Sequence, residues 1–194
     1  MSAQRDAKRA VRDTVRTRLA AAPPGDRARW SAAICEALEA SEVWTNARSV
    51  LVYLGDPGEP DLDGAIARAI ARGVRVSAPR MDWDAGAMDA VELRSLEATQ
   101  TRRHGIREPA GGAVVEPSEL DLILVPGVAF DARGGRLGRG AGYYDRFLAR
   151  AGGGALLVGV CFEAQIVDAV PQETHDRGVH ALVSERGFRL AGRG

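Results

Sequence analysis

Apolar positions along this chain change spacing repeatedly, from every third or fourth residue to short continuous runs, and the changes predict alternating helices and strands. Between residues 3 and 21, Ala7, Val11, Val15 and Leu19 recur every fourth position and form one stripe of a helix. Lys8 and Arg12 form an adjacent row of the same helix and can point the same way. Pro23-Pro24-Gly25 stops it. Asp26 is placed to cap a second helix, whose buried face is Trp30, Ile34 and Leu38. Ser41 reads as the N-cap of a short turn holding Val43 and Trp44. Ser49–Leu54 is a strand that ends in a loop over 55–60. A helix follows from about Asp61, with Leu62, Ile66 and Ile70 inward and Gly73 as its stop. Val74–Ala78 is a second strand ended by Pro79-Arg80, and Met88–Leu93 a third. Strand, helix and strand in this order make a βαβ unit, which implies parallel pairing through a right-handed crossover.

Residues 98–118 show no periodicity and read as a long loop. Leu122–Val125 is a buried strand closed by Pro126-Gly127. The apolar run resumes over Val128-Ala129-Phe130 and stops at Asp131. Glycines then fall at 134, 135, 138, 140 and 142, with arginines at 133, 136 and 139. Tyr143, Tyr144, Phe147 and Leu148 have helical spacing, which starts a helix near Gly142 and carries it to about Arg150. Ala155–Cys161 and Val179–Val183 are strands, Phe188-Arg189-Leu190 a short terminal one, and residues 191–194 a loose tail. No internal repeat or interdomain linker interrupts the pattern. The expectation is one three-layer α/β/α domain over residues 1–194 with a mostly parallel central sheet. Ligands of such sheets gather beyond the C-terminal ends of the strands. That singles out the loops 55–60, 80–87, 126–142 and 162–178.

Composition narrows the partners. A formal net charge of zero argues against nucleic acid or a membrane surface. No apolar run approaches the ~18 residues that span a bilayer, and the N-terminus lacks the apolar centre of a secretory signal. A cytoplasmic location is expected. Cys35 and Cys161 have no metal-binding spacing and read as buried thiols. The first 29 residues carry eight Lys or Arg against three Asp. Of the 26 basic residues in the chain, only Lys8 is lysine. Coding bias accounts for the arginines. The lone lysine is either a chance survivor or a compact point charge for a phosphate.

A strand, a glycine loop and a helix start can be a plain turn or an anion site. The loop is no Walker A sequence and contains no GxGxxG. From the residues alone Glu59 reads first as a solvated loop carboxylate, with a ligand contact as the alternative. Asp145, in the first turn of its helix, suits the helix dipole or a Mg²⁺ ion. Asp176, next to His175, could supply a second metal oxygen. Tyr143 and Tyr144 are helix-packing residues or a platform for a flat ring. His104 and His180 show no partner. Neither GxSxG nor HExxH is present, so chemistry by positioning and charge is favoured over a covalent enzyme intermediate.

Pro126-Gly127-x-Ala129-Phe130-Asp131, followed by Gly135-Arg136-Leu137-Gly138-Arg139-Gly140-x-Gly142-Tyr143-Tyr144-Asp145, resembles the signature of the 5-formyltetrahydrofolate cyclo-ligases. The resemblance continues in Lys8-Arg9-Ala10-Val11-Arg12, in Leu54 with Glu59, in Gly105-Ile106-Arg107-Glu108-Pro109, and in Gly159-Val160-x-Phe162-x-x-Gln165 with Pro171, His175 and Asp176. It implies a fold like the sugar-phosphate isomerase and CoA-transferase group. It also implies ATP- and Mg²⁺-dependent closure of 5-formyltetrahydrofolate to 5,10-methenyltetrahydrofolate by a monomer, through a phosphorylated formyl oxygen. Lys8, Arg9 and Arg12 would then hold ATP. Arg136, Leu137, Gly138, Arg139, Gly140, Ala141, Gly142, Tyr143 and Tyr144 would wrap the triphosphate, with Arg139 nearest the transferred group. Leu54 and Glu59 would contact the folate together with Arg139, Gly140, Ala141, Gly142 and Tyr143, and Tyr143 would lie between the two substrates. Asp145 and Asp176 would bind Mg²⁺. Ala141, where Gly or Lys is expected, and Leu62, where Thr is expected, depart from the family pattern, and Pro60 stiffens the folate loop. These departures bear on substrate affinity. A nucleotide-binding paralogue without this activity and a sugar-phosphate isomerase-like enzyme are the competing readings.

Overall fold

Leu122 and Leu124 face one apolar core and Ile123 and Val125 face another, and all four are buried. A strand covered on both faces needs apolar residues at every position, hence the continuous run. The computed structural model describes residues 2–174 and 176–192. Its strands are β1 (Ser49–Leu51), β2 (Arg75–Asp82), β3 (Ala87–Glu92), β4 (Thr99–Thr101), β5 (Arg107–Pro109), β6 (Val114–Val115) and β7 (Leu122–Val125). Then follow β8 (Ala129–Asp131), β9 (Arg136–Leu137), β10 (Leu156–Val160), β11 (Ile166–Val167), β12 (Ala181–Ser184) and β13 (Gly187–Leu190). The helices are α1 (Ser2–Ala20), α2 (Asp26–Glu39), α3 (Glu42–Asn46), α4 (Asp63–Ala71) and α5 (Tyr143–Arg150).

Eight strands form the main sheet in the order β13-β12-β10-β7-β1-β2-β3-β6. The pairs from β12 across to β2 are parallel, and the outer pairs are antiparallel. Helices α2 and α4 cover one face through Ile34, Leu38, Ala65 and Ile66. On the other face Phe147 and Leu148 of α5 join Phe130, Ile123 and Val125. Each such fully buried side chain contributes roughly 1.5–3 kcal/mol of transfer free energy. The layered, mostly parallel expectation holds. No helix of the described residues is long and apolar enough to cross a membrane.

A second sheet, β11-β8-β9, lies under α1, where Val15 packs with Ala129, Leu137 and Val170. Helix α1 therefore belongs to the glycine-loop side of the molecule. Phe130 ties this sheet to the main one. A Cβ on Gly127 or Gly159 would sit 2.6 Å from its ring, so both positions must stay small.

Several boundaries differ from the sequence reading. Gly25, with φ 84°, is the N-cap of α2, whereas Asp26 is its first helical residue and pairs with Arg29 at 2.8 Å. Strand β1 ends at Leu51, although Val52 N still donates to Ser77 O. Helix α4 starts at Asp63, with Leu62 at the N-cap position and no side-chain cap. Pro79-Arg80 does not end β2. Past Ser77, β2 pairs only with β3, and a proline is tolerated where one edge is unpaired. Strand β12, the first of the terminal hairpin, starts at Ala181, after Val179. Residues 98–118 are a structured excursion: β4 and β5 pair antiparallel and 3₁₀ turns flank them, in pieces too short to show a period. The tail is tied down through Ala191 N to His180 O and Gly192 N to Ala132 O, each 2.9 Å. Residues 193 and 194 lie outside the described residues, as does His175.

Candidate active site

Strand order reverses at β1. The chain leaves β1 through α4 to β2 on one side, while β7 lies on the other side. A crevice opens where two loops diverge in this way. The loop after β1 carries Asp56 and Glu59, and the loop after β9 carries Arg139. They meet. Arg139 Nη1 donates to Asp56 Oδ2 at 2.6 Å and Nη2 to Glu59 Oε1 at 3.0 Å. The arginine is 57% exposed and the two carboxylates 19% and 17%. Burial pushes the Glu59 carboxyl above the ordinary 4.5, and the Arg139 charge opposes that shift.

The glycine loop is bent by Gly140 and Gly142, with φ of 105° and 72°, a region in which a side chain would be strained. Gly142 is the N-cap of α5, so the first-turn N–H groups of that helix open toward the loop. Arg12 Nε donates to Gly138 O at 3.1 Å, which brings α1 onto the loop. Lys8 Nζ lies 2.7 Å from both Asp176 Oδ2 and Glu173 Oε2. Burial pulls the Lys8 pKa down, but these carboxylates outweigh it and the net shift is upward. Arg9 points elsewhere and pairs at 3.5 Å with exposed Asp6.

Arg136 lies beneath the loop, its side chain only 3% exposed. It donates to Asp145 Oδ1, Arg177 O and Pro126 O. Leu137 is buried against α1. The structure thus gives these two residues the underside of the loop, and Gly138 to Gly142 its upper edge. Leu54 and Leu62 are buried in the main core. Leu62 therefore packs inward, and the departure from Thr is met by apolar contact. Tyr53 Oη donates to Pro60 O at 3.1 Å and pins the Asp56–Pro60 turn from below. Ala141 is exposed, and its carbonyl accepts from Arg146 Nη2 at 3.0 Å.

Asp145 accepts through Oδ1 from Arg136 and from Arg177 N. Asp176 accepts through Oδ2 from Lys8 and from Glu173 N. Arg136 and Arg177 thus tie the 162–178 loop to the helix start. Among the described residues no group of three or more His, Cys, Asp or Glu side chains is arranged to hold a metal. Carboxylates are nevertheless the right donor type for Mg²⁺, which commonly binds one or two carboxylates together with phosphate oxygens and water.

The fourth strand-end loop is short, because residues 80–82 belong to β2. Trp83 stands at its tip with its ring edge-on to Tyr143 (centroids 5.8 Å apart) and to His104 (5.3 Å). Arg103 lies 5.8 Å from the Trp83 ring and Arg146 5.2 Å from Tyr143. Sequence reasoning named Tyr143 but missed Trp83 and Asp56, and gave His104 no role. The only signal for the first two was their place in strand-end loops. Tyr144 turns inward, with a buried hydroxyl that has no hydrogen-bond partner. Burial, with the Glu59 charge nearby, pushes its phenol strongly upward.

The sequence model of the 5-formyltetrahydrofolate cyclo-ligase family matches residues 4–185. The chain belongs to this family. The mouse 5-formyltetrahydrofolate cyclo-ligase is 30% identical over 190 residues, covering 92% of this chain and 94% of the mouse protein. The Mycolicibacterium smegmatis 5-formyltetrahydrofolate cyclo-ligase is 41% identical over 87 residues, 43% of this chain and 45% of that protein. The NMR structure of Aquifex aeolicus 5,10-methenyltetrahydrofolate synthetase superposes with a TM-score of 0.83 at 30% identity, covering 96% of this chain and 94% of that one. The Gly138–Gly142 part of the longest motif thus lies on the loop that carries Arg139 to Glu59, and the fold is that of known members.

Proposed function

We propose that this chain catalyses the ATP- and Mg²⁺-dependent closure of 5-formyltetrahydrofolate to 5,10-methenyltetrahydrofolate, releasing ADP and phosphate. The observation that carries the proposal is the meeting of Arg139 with Glu59. The arginine that the motif assigns to a phosphoryl group and the carboxylate that it assigns to the pterin are 3.0 Å apart. One crevice can therefore hold both substrates with their reacting ends together, which is the main requirement of a reaction run by positioning and charge.

The formyl oxygen attacks the γ-phosphorus, an O–P bond forms, and ADP leaves with the electrons of the broken P–O bond. N10 then attacks the formyl carbon. The C–O bond breaks, phosphate departs with its electron pair, and the N10 proton is lost to solvent or to the departing phosphate. Lys8 and Arg12 bind the nucleotide phosphates from α1. The N–H groups of the Gly138–Gly142 edge line the triphosphate over the start of α5. Arg139 faces the charge that develops on the transferred group. Glu59 accepts pterin N–H groups, and Tyr143, backed by Trp83, separates nucleotide from folate. Asp145 and Asp176 would hold Mg²⁺, which neutralises charge on the β- and γ-phosphate oxygens when bound.

The test follows absorbance of methenyltetrahydrofolate with purified protein, 5-formyltetrahydrofolate, Mg²⁺ and ATP, omitting each in turn. Product that requires all three is expected. No product from folded protein that still binds ATP would give the paralogue reading instead.

Glu59 also predicts a pH profile. Its folded pKa is raised, so the native protein holds this proton more tightly than the unfolded chain does. The stability linked to it therefore falls as pH rises from 4.5 through the folded value. The ionised form accepts pterin N–H groups through both oxygens and more strongly than the protonated form does. Folate affinity is therefore expected to rise with pH across a window above 4.5. Glu59→Gln should flatten that limb in a binding titration; an unchanged limb would assign it to another group.

A further inference from the structure

We propose that Asp56 is a positioning residue. It holds Arg139 over the folate loop when Glu59 turns to its ligand, and so makes folate and nucleotide tighten each other's binding. The inference rests on the function proposed above. Its starting point is an imbalance of charge: one guanidinium faces two carboxylates, each on its own nitrogen, at 2.6 and 3.0 Å. The cluster carries a net negative charge. A phosphate approaching Arg139 therefore meets an arginine already neutralised and a surplus carboxylate beside it.

The two carboxylates are not equivalent. Glu59 is also tied to the turn itself, because its Oε2 accepts from Asp56 N at 3.2 Å. The carbonyl of Asp56 in turn accepts from Gly58 N at 2.6 Å and Glu59 N at 2.9 Å. Asp56 thus anchors the turn through its backbone and reaches Arg139 with its side chain. Arg139 comes from a stretch flanked by Gly138 and Gly140, which offer it no neighbouring side chain to lean on. Its contacts run to Asp56 and Glu59, across 83 and 80 residues of sequence.

When pterin N–H groups engage Glu59, one negative charge is withdrawn from Arg139 and Asp56 remains. A guanidinium has five N–H donors. It can keep Asp56 on one nitrogen and present the others to a phosphoryl group. Folate occupancy thereby converts a neutralised arginine into an oriented phosphate donor. By linkage, nucleotide must favour folate by the same factor.

The experiment titrates a non-hydrolysable ATP analogue, with Mg²⁺, into the full chain with and without saturating 5-formyltetrahydrofolate. Wild type, Asp56→Asn and Asp56→Glu are compared, and thermal melts check that each variant is folded. In wild type, folate should tighten the analogue at least about 5-fold, within the usual range of coupling between sites. Asp56→Asn keeps the size of the side chain and removes its charge. It should shrink that factor below about 2-fold, and Asp56→Glu should restore part of it. A wild-type factor near one, or an Asp56→Asn factor equal to wild type, overturns the role of Asp56. Product formation by wild type in the same preparation separates this from the parent reading. Absence of product counts against the proposed function, whereas product with an unchanged coupling factor counts against Asp56 alone.

Discussion

Replacing Arg139 by alanine is expected to lower kcat of the proposed cyclisation by roughly 10³-fold, the lower end of what a single arginine aimed at a transferring phosphoryl group supplies. Stability should hardly change. The side chain is 57% exposed, and an exposed ion pair is worth about 1 kcal/mol or less. The two effects separate because the side chain is more than half exposed, while in the proposed reaction its charge faces the transferred group. Arg139→Lys should recover little. A single ammonium cannot reach two carboxylates and a phosphate from fixed directions as a planar fork does. A second consequence distinguishes this account from generic loss of a cation. Without Arg139 the negative charges of Asp56 and Glu59 face each other uncompensated, so the pKa of Glu59 must rise further. The pH limb of folate binding should move upward in the alanine variant. An Arg139→Ala protein that retained a tenth of wild-type kcat would remove the arginine from the chemistry.

Asp131→Ala should cause the largest loss of stability, on the order of 3 kcal/mol or more, read from the urea unfolding midpoint. Asp131 is 2% exposed and accepts three backbone N–H groups: Arg133 at 3.0 Å, Gly135 at 2.9 Å and Val170 at 2.8 Å. Removing the carboxylate leaves these donors without an acceptor, and each unsatisfied buried group costs about 1–3 kcal/mol. The damage is local to the site's support. The carboxylate closes the turn between β8 and β9 and ties it to the segment after β11, so it fixes the strand from which the glycine loop departs. Gly135 belongs to the same device, because a Cβ there would collide with the Asp131 carboxylate. Asp131→Asn, which keeps one acceptor oxygen, should fall between wild type and alanine. Equal midpoints for all three proteins would show that the turn does not depend on the carboxylate.

Asp131 and Gln165 also show that residues within a motif can serve the backbone. Both lie in stretches that carry the cyclo-ligase resemblance, yet neither reaches the crevice. Gln165 is 2% exposed. Its amide donates to Gly127 O and Val128 O, while its oxygen accepts from Phe162 N. These residues hold the loops that hold the ligands. Arg136, which stands in the middle of the motif, likewise spends its donors beneath the loop. The sequence marked these stretches as important without separating the groups that face a substrate from those that fix the backbone.

Much of the architecture was legible because it rests on near-neighbour rules. Periodicity placed α1, the inward face of α2 and the buried strands, since burial on one or both faces leaves a pattern within a few residues. The Lys8/Arg12 row was legible for the same reason: spacing by four puts two side chains on one face of a helix. The glycines at 140 and 142 announced a backbone that only glycine adopts readily. What the sequence could not contain was strand order. Asp56, Glu59 and Arg139 lie on segments far apart in the chain, and they meet because β1 and β7 are neighbours at the point where the sheet changes direction. Trp83 and Tyr143 face each other because β2 runs past its proline along an unpaired edge and turns back beside α5. Local chemistry determined the elements and the kinds of side chain available to a site. The tertiary structure alone decided which of them share a crevice, because that depends on which strands pair across the whole chain.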